Sequence, residues 1–263
     1  MEKGQKEARI GLDAETEIVN KLNSDDKLRN DFIKCMSKIG FQVDNKFKAV
    51  KMGKNYKSDI LICHSNCEVL GISLKTVKET KKGFHQVDRR WLDDWKNLLD
   101  MPDDIYNIFK DGIIRIAKNP RDKFILEKDQ TKIKNFLKNK ISIIIREIFV
   151  KNEKCLKILA IYDKRKCNKE LYLINIDDFI EKFEKDVEIG FSKKGIIEFR
   201  LEGEKILTIQ RKGGNGKGKN IGISKTDIRH TGNQLQFKMY PITLVDYIKN
   251  KKDEIRWCKI TLN

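Results

Sequence analysis

The chain has 263 residues, with 56 Lys and Arg against 39 Asp and Glu, which gives a formal net charge of +17 at pH 7. Charged residues make up 36% and hydrophobic residues 39% of the chain, a balance that permits a folded core and argues against wholesale disorder. No run of 18 apolar residues is present, so a transmembrane helix is excluded, and the N-terminus lacks the apolar core of a secretory signal. The surplus of positive charge predicts a polyanionic partner, most simply nucleic acid.

Six cysteines are scattered along the chain, at positions 35, 63, 67, 155, 167 and 258. Their low density does not match a disulfide-stabilised scaffold, and reduced thiols are typical of a cytoplasmic protein. We therefore expect a soluble, basic protein of the cytoplasm.

The N-terminal part of the chain predicts two helices. Apolar residues recur near helical spacing in segments 11–22 and 28–39. Gly40 follows the second segment, and a residue that tolerates positive φ is typical of a helix end. Residues 41–50 place apolar side chains among polar ones and predict an extended segment.

Two short apolar runs, 58–63 and 68–75, are separated by a turn-like segment. Such runs, rich in β-branched residues, predict the neighbouring strands of a hairpin. From residue 85 to about residue 140 the pattern predicts helices again.

The second half of the chain predicts an alternation of strands with a few short helices. Residues 212–233 are rich in Gly and Lys and poor in apolar side chains, which predicts a long exposed loop of the kind that often carries function. The whole chain predicts an α+β protein, with a catalytic part in 1–150 and a β-rich basic part in 151–263 that share one globule. The predicted strands are 156–162, 170–176, 195–202, 205–211, 234–240 and 255–262, and the predicted helices are 177–186 and 241–251.

The polar residues of the predicted hairpin give the strongest functional signal. Asp59 opens the first apolar run, whereas Ser73 and Lys75 share one face of the second, because side chains alternate along a strand. A hairpin would bring Asp59 next to that pair. Phosphodiester hydrolysis uses such groups: a carboxylate holds a divalent cation, and an ammonium stabilises the attacking hydroxide and the charge that develops on phosphorus.

This arrangement resembles the PD-(D/E)XK nuclease superfamily, whose motif is an Asp at the start of one strand and (Asp/Glu)-x-Lys on the next. By this resemblance, Asp59 is the metal-binding aspartate and Lys75 is the catalytic lysine. Ser73 occupies the position of the second acid, where some type II restriction endonucleases, MspI among them, place an uncharged polar residue. The Ser73 oxygen or a water molecule would complete the shell of Mg²⁺, which normally retains several waters.

Members of this superfamily often add a carboxylate from the first helix. Glu15 and Glu17 are the two candidates in this sequence. We favour Glu17 as the additional metal ligand, because it faces near the edge of the apolar stripe of the helix.

Basic and amide side chains after Lys75 indicate a path for DNA. Residues 83–95 resemble the helix rich in Gln, Arg and Trp that follows the catalytic lysine in restriction enzymes. The DNA-binding candidates in this part of the chain are Lys78, Lys81, Lys82, His85, Gln86, Arg89 and Arg90.

The Gly-rich loop and the strand that follows it supply a second set of DNA-binding candidates. Glycines let a backbone approach a groove closely, and Arg, Lys, Asn and Gln read guanine and adenine edges. This segment loosely resembles the recognition loops of several restriction endonucleases. The candidates are Arg211, Lys212, Asn215, Lys217, Lys219, Lys225, Arg229, Gln234, Gln236 and Lys238.

Two other motifs are set aside. The Gly-rich loop nearly spells a P-loop, but Asn220 stands where a Ser or Thr must follow the Lys. Cys63, His64 and Cys67 have zinc-like spacing, but a zinc site needs a second ligand pair.

The sequence therefore predicts a type II restriction endonuclease that uses Mg²⁺ to cleave double-stranded DNA at a specific sequence. The resemblance implies a central mixed β-sheet flanked by helices, a β-rich basic C-terminal lobe, and a cognate DNA methyltransferase in the same restriction-modification system. Two alternatives are a PD-(D/E)XK nuclease of repair or transposition and a non-catalytic protein that binds DNA or RNA.

Overall fold

In a computed structural model, seven α-helices and eleven β-strands are found within the described part of the chain. None of the helices described is long and apolar enough to cross a membrane. The described residues are 3–53, 56–64, 69–78, 83–165, 169–214, 220, 222–251 and 254–262, with side chains from residue 11 onward. The elements are α1 (Lys3–Ser24), α2 (Asp26–Lys38), β1 (Lys48–Lys51), β2 (Ile60–Cys63), β3 (Val69–Val77), β4 (His85–Arg90), α3 (Leu92–Leu99), α4 (Asp103–Lys118), α5 (Glu127–Phe149), β5 (Leu156–Asp163), β6 (Lys169–Asn175), α6 (Ile176–Asp186), β7 (Glu188–Phe191), β8 (Ile197–Leu201), β9 (Glu204–Arg211), β10 (Leu235–Met239), α7 (Pro241–Asn250) and β11 (Trp257–Leu262).

The chain divides into two compact units, each built from separated stretches of sequence. The first unit contains residues 1–83, 149–183 and 241–263, and the second contains residues 84–148 and 184–240. The units do not follow the expected division at residue 150, because strands from both halves of the chain pair within each sheet. The predicted α+β class is confirmed.

The first unit is built on a six-stranded sheet in the order β1-β2-β3-β5-β6-β11. Only the β3–β5 pair is parallel among these neighbours, and the others are antiparallel. The sheet is therefore mixed, as predicted. The hairpin predicted from the two apolar runs is confirmed as the antiparallel pair β2 and β3.

Helices cover both faces of this sheet. On one face, Phe32 of α2 packs in a common core with Ile60, Ile72 and Ile158 from three neighbouring strands, and all four are fully or almost fully buried. Each such side chain contributes roughly 1.5–3 kcal/mol through removal of its apolar surface from water. On the opposite face, α7 contacts β3. This double cover explains why the strands of this sheet consist of nearly continuous apolar runs.

Helix α2 ends where the sequence predicted. Its first turn is capped by the Asp25 carboxylate, which accepts a hydrogen bond from the Leu28 N–H at 3.0 Å. At the other end, Gly40 adopts a φ of 92°, a conformation that costs other L-residues energy.

The second unit contains a five-stranded antiparallel sheet in the order β4-β10-β9-β8-β7. Trp95 of α3 is 1% exposed, and its ring centroid lies 4.9 Å from that of Phe237 on β10. Trp95 therefore belongs to the core of this unit, which anchors α3 to the sheet.

Residues 85–90 form strand β4, so the predicted helix over this segment is wrong. β4 pairs with β10, with Arg89 opposite Gln236, and α3 begins only after Trp91. The pairing partner lies in a distant part of the sequence, and the polar segment itself has no apolar alternation that would indicate a strand. Strand β7 was not predicted either.

Glu17 ties helix α1 to strands β5 and β6. Its carboxylate accepts hydrogen bonds from Tyr162 Oη at 2.9 Å, from Lys164 Nζ at 2.7 Å and from Lys169 Nζ at 2.7 Å. Burial acts to raise the pKa of Glu17, but these three hydrogen bonds outweigh it and lower the pKa to about 2.

We predict that Glu17→Gln destabilises the protein at neutral pH by roughly 1–2 kcal/mol, after allowance for solvent screening of the ion pairs. Because the folded-state pKa is lowered, this contribution is complete above the usual value of 4.5 and is lost as the pH falls toward about 2. Thermal unfolding measured between pH 7 and pH 3 should therefore give a difference between variant and wild type that shrinks with acidification. Glu127→Gln, on the exposed start of α5, is the matched control and should change stability little. An equal effect of both substitutions would contradict the prediction.

Candidate active site

Asp59 is held at the start of β2 by hydrogen bonds to β3. Its backbone N–H donates to the Ile72 carbonyl at 2.8 Å, and its Oδ2 accepts the Leu74 N–H at 2.6 Å. Ile60 is paired with Ile72 in the hairpin register, which places Asp59 next to Ser73. The carboxylate is thus fixed by backbone groups and does not depend on flexible side chains for its position.

Ser73 and Lys75 complete a chain of polar contacts with Asp59. Lys75 Nζ donates to Ser73 Oγ at 2.8 Å, and Ser73 Oγ donates to Asp59 Oδ2 at 3.4 Å. Lys75 Nζ also lies 3.7 Å from Asp59 Oδ2, with the two side chains 16% and 27% exposed. Ile72 and Leu74 point into the core on the other face of β3. The structure therefore brings together the three residues that the sequence grouped.

Of the two α1 carboxylates considered, Glu15 and not Glu17 interacts electrostatically with Asp59 and Lys75. The pKa of Glu15 is raised, first by burial and second by the negative charge of Asp59, while Lys51 and Lys75 act in the opposite direction. Glu15 Oε2 lies 3.2 Å from Lys51 Nζ at the end of β1. The Glu17 carboxylate instead forms ion pairs with Lys164 and Lys169, and its predicted role as a metal ligand stays a prediction.

The donor set of this cluster suits a hard divalent cation. Carboxylates from Asp59 and Glu15 and the hydroxyl of Ser73 are oxygen donors, which Mg²⁺ prefers, and Mg²⁺ keeps several waters at such sites. Burial is the larger cause of the raised pKa of Glu15 and the negative charge of Asp59 the second, and a bound cation would favour the ionised form of both carboxylates. Within the described part of the chain, no group of three or more His, Cys, Asp or Glu side chains is arranged to hold a metal, so any cation would depend on the hydroxyl and on water.

In the second unit, strands β4 and β10 carry several of the predicted DNA-binding residues. Gln236 Nε2 donates to Gln86 Oε1 at 2.7 Å across the two strands. Lys238 Nζ lies 3.8 Å from the ring centroid of Phe84, and burial lowers the pKa of Lys238. The side chains of Gln86 and Arg89 are exposed. Gln236 is buried, so its hydrogen bond fixes the exposed Gln86 amide beside the cationic groups of these strands.

Arg90 departs from this pattern. Its guanidinium forms ion pairs with Asp88 at 2.9 Å and Glu147 at 2.7 Å, and it lies 5.0 Å from the ring centroid of Trp95. These contacts hold the partly buried Arg90 guanidinium within the second unit, and its predicted contact with DNA stays a prediction.

The described part of the Gly-rich segment is more ordered than the expected exposed loop. Asn233 is fully buried, and its Nδ2 donates to the carbonyls of Lys225 at 2.9 Å and Asp227 at 2.6 Å. Arg211 Nε donates to Asn233 Oδ1 at 2.7 Å. Arg229 is exposed and paired with Asp227 at 2.6 Å. The buried Asn233 amide therefore holds the backbone of residues 225–227 next to the start of β10.

The other predicted DNA-binding residues differ in how exposed their side chains are. Lys78 and Lys225 are exposed, whereas His85, Lys212 and Gln234 are partly buried. Cys67, one of the three residues with zinc-like spacing, lies outside the described residues. So do five predicted DNA-binding residues, namely Lys81, Lys82, Asn215, Lys217 and Lys219.

Comparison with known proteins identifies the family. The family model of the R.HinP1I restriction endonuclease matches residues 30–245, which is most of the chain. The chain belongs to the R.HinP1I restriction endonuclease family. It is a type II site-specific DNA nuclease, which confirms the enzyme class predicted from the hairpin motif.

The fold is also similar to that of a solved restriction endonuclease. The chain is similar to restriction endonuclease MspI in a crystal structure with its cognate DNA, with a TM-score of 0.47 and 12% identity over 90% of this chain and 93% of that one. A comparison with curated proteins finds no match. Asp59, Ser73 and Lys75 lie within the range matched by the R.HinP1I family, and Glu15 precedes it.

Lys51 is a site residue that the sequence analysis missed. It reaches Glu15 because β1 pairs with β2, and it also donates to the Leu12 carbonyl at 2.8 Å and to Thr16 Oγ1 at 3.0 Å. Lys is abundant throughout this chain, so composition could not single it out. Only the pairing of β1 places it beside α1.

We predict that Asp59→Asn lowers the pKa of Glu15, because it removes the negative charge that is the second cause of the raised value. The pKa of Glu15 should remain above its usual value, since burial is the larger cause. Carboxyl-carbon NMR titration of protein labelled at glutamate would measure the shift, with Glu17 as an internal reference at about 2. A shift at Glu17 with none at Glu15 would refute the placement of the two residues.

Proposed function

We propose that this R.HinP1I-family enzyme cleaves double-stranded DNA at a specific sequence by Mg²⁺-dependent hydrolysis of the phosphodiester bond. The observation that carries the proposal is the contact chain from Lys75 through Ser73 to Asp59, with Glu15 facing the same cluster. It supplies both an oxygen donor set for a cation and an ammonium directed at the same place.

In the proposed mechanism, Asp59, Glu15 and the hydroxyl of Ser73 would hold the cation. Bound Mg²⁺ would polarise the scissile phosphate and lower the pKa of a water molecule. The hydrogen bond of Asp59 to the Leu74 N–H keeps its carboxylate oriented during catalysis.

Lys75 has two tasks in this mechanism. Its ammonium orients the attacking water and stabilises the negative charge that develops on the phosphate. The hydrogen bond to Ser73 limits the rotamers of the long side chain, so the ammonium is in place before DNA arrives. Because Lys75 is only 16% exposed, its charge is screened less by solvent than that of a surface lysine.

The proposed DNA-contacting residues supply phosphate contacts and base recognition. Cationic side chains would neutralise phosphates, and the Gln86–Gln236 pair would offer amide donors and acceptors to base edges. The net charge of +17 supports a polyanionic partner. The described residues in this set are Lys78, His85, Gln86, Arg89, Arg211, Lys212, Lys225, Arg229, Gln234, Gln236 and Lys238, and the sequence adds Lys81, Lys82, Asn215, Lys217 and Lys219.

A nuclease with this specificity requires protection of the host genome. We therefore propose a cognate DNA methyltransferase that modifies the same sequence, as a functional partner without an implied physical contact. The enzyme would act in the cytoplasm, where host DNA and incoming DNA are both accessible.

We predict that Asp59→Asn and Lys75→Met each reduce the cleavage rate by about a hundredfold or more, because each removes a group that acts on the reacting phosphate. Glu15→Gln should reduce the rate strongly, while Glu17→Gln, two residues away on the same helix, should cleave at close to the wild-type rate. Unmethylated phage DNA is incubated with the wild-type enzyme at moderate salt. Discrete fragments should form in the presence of Mg²⁺ and should be absent in the presence of EDTA.

Three outcomes would change the proposal. A continuous smear would retain the chemistry but remove sequence specificity, and would favour a nuclease of repair or transposition. Intact DNA that is nevertheless bound would favour a non-catalytic DNA-binding protein. Equal loss in Glu15→Gln and Glu17→Gln would remove the distinction between these two carboxylates.

We predict that Arg89→Ala weakens DNA binding and reduces the slope of log affinity against log salt by about one, as expected for the loss of one phosphate contact. Fluorescence anisotropy over a salt series would measure it in Ca²⁺ to prevent cleavage. Arg121→Ala removes the same charge from an exposed turn of the same unit and serves as the control. Equal effects of the two substitutions would show that Arg89 contributes only to the net positive charge and makes no specific phosphate contact.

A further inference from the structure

A carboxylate outside the proposed catalytic set holds the backbone immediately before Asp59. The Glu153 side chain, in the turn between α5 and β5, accepts hydrogen bonds from the N–H groups of Lys57 and Ser58, the latter at 2.8 Å. A third bond comes from Ser58 Oγ at 2.7 Å. The Glu153 carboxylate thus accepts hydrogen bonds from two successive backbone N–H groups and from the Ser58 hydroxyl, just before β2 begins.

Ser58 is buried just before β2, next to Gly71 of β3 and close to the start of β5. It is 1% exposed, and a Cβ on Gly71 would lie 2.4 Å from Ser58 Oγ and 3.0 Å from the Leu156 Cα. Only glycine at position 71 leaves room for the Ser58 side chain. The Gly71 N–H donates to the Cys155 carbonyl at 2.7 Å, so β3 is joined to the same turn that carries Glu153.

The Glu153 carboxylate is ionised at neutral pH. Burial acts to raise the pKa of Glu153, but the hydrogen bonds from the backbone of Lys57 and from Ser58 outweigh it, and the pKa is lowered. An anionic acceptor makes shorter and stronger hydrogen bonds to N–H donors than a neutral one does. The proposed mechanism assigns no catalytic step to the Glu153 carboxylate.

We propose that Glu153 is a positioning residue for DNA cleavage, which fixes the backbone of residues 57–58 so that the Asp59 carboxylate stays against the Leu74 N–H and Ser73 Oγ. The inference rests on the proposed role of Asp59 as a metal-binding carboxylate. Glu153 does not touch the reacting atoms in this proposal. It acts through the two residues that precede Asp59, and a displacement of about 1 Å at a catalytic group can cost about a hundredfold in rate.

The test compares Glu153→Gln with wild type. Glutamine has one acceptor oxygen, and its NH₂ group would face backbone N–H donors, so at least one of the two backbone bonds is lost. We expect kcat to fall by about 10- to 100-fold with KM for DNA changed less than threefold. Hydrogen exchange of the Lys57 and Ser58 amides should accelerate at the same time. Ser58→Ala removes a single bond and should have a smaller effect on both measurements.

Asp178→Asn provides the matched control within the same unit. The Asp178 carboxylate also accepts a backbone N–H, from Arg256 at 3.0 Å, and binds the Arg256 guanidinium at 2.7 Å. Its loss should lower thermal stability modestly, because Arg256 is 53% exposed, but should leave kcat and the exchange rates at residues 57–58 unchanged. An equal fall in kcat for Asp178→Asn would indicate general destabilisation and would overturn the inference.

The outcomes separate this inference from the proposed function. If wild type does not cleave DNA, or if Asp59→Asn cleaves normally, the proposed function fails and the inference fails with it. If Asp59→Asn is inactive and Glu153→Gln cleaves at the wild-type rate, only the inference fails. A fall in kcat without faster exchange at residues 57–58 would also overturn it, because Glu153 would then act directly and not through the backbone.

Discussion

The hydrogen bond from the Leu74 N–H to the Asp59 carboxylate is the contact on which the candidate site depends. It joins the first residue before β2 to the interior of β3, so the side chain of one strand is oriented by the backbone of the other. Ser73 and Lys75 flank Leu74 along β3, and both side chains lie near Oδ2 of the same carboxylate. A site built from two paired strands has little freedom to relax, which is the condition under which charged groups act efficiently on a substrate.

Two carboxylates on one helix have opposite electrostatic surroundings. Glu17 accepts three hydrogen bonds, two of them from ammonium groups, and its pKa falls to about 2. Burial and, second, the negative charge of Asp59 raise the pKa of Glu15, although Lys51 and Lys75 act against the increase. The hydrogen bonds of Glu17 stabilise the fold, whereas Glu15 is a partly buried carboxylate beside a second carboxylate, Asp59. Perturbed carboxylates of the second kind are typical of functional sites.

The sequence predicted the hairpin and its polar residues because both signals are local. Alternation of faces placed Ser73 and Lys75 together, and the β2–β3 register then brought Asp59 to them. What it could not predict depends on distant pairing. Strand β4 depends on pairing with β10, which lies far along the chain. The environment of Glu17 depends on Tyr162, Lys164 and Lys169, which are equally distant in sequence. The division into units failed to follow residue 150 for the same reason, since each sheet recruits strands from both halves.

The serine at position 73 is consistent with this distribution of charge. A carboxylate there would stand beside Asp59, which already interacts with the negative charge of Glu15, and a third negative charge at this partly buried position would be unfavourable. Ser73 instead accepts a hydrogen bond from Lys75 and donates one to Asp59, so it transmits orientation between the two without adding charge. In the proposed site the second acid is then supplied by α1 and not by β3. The helix can provide it because β1 carries Lys51 to its flank, which holds Glu15 at the edge of the sheet where the hairpin begins.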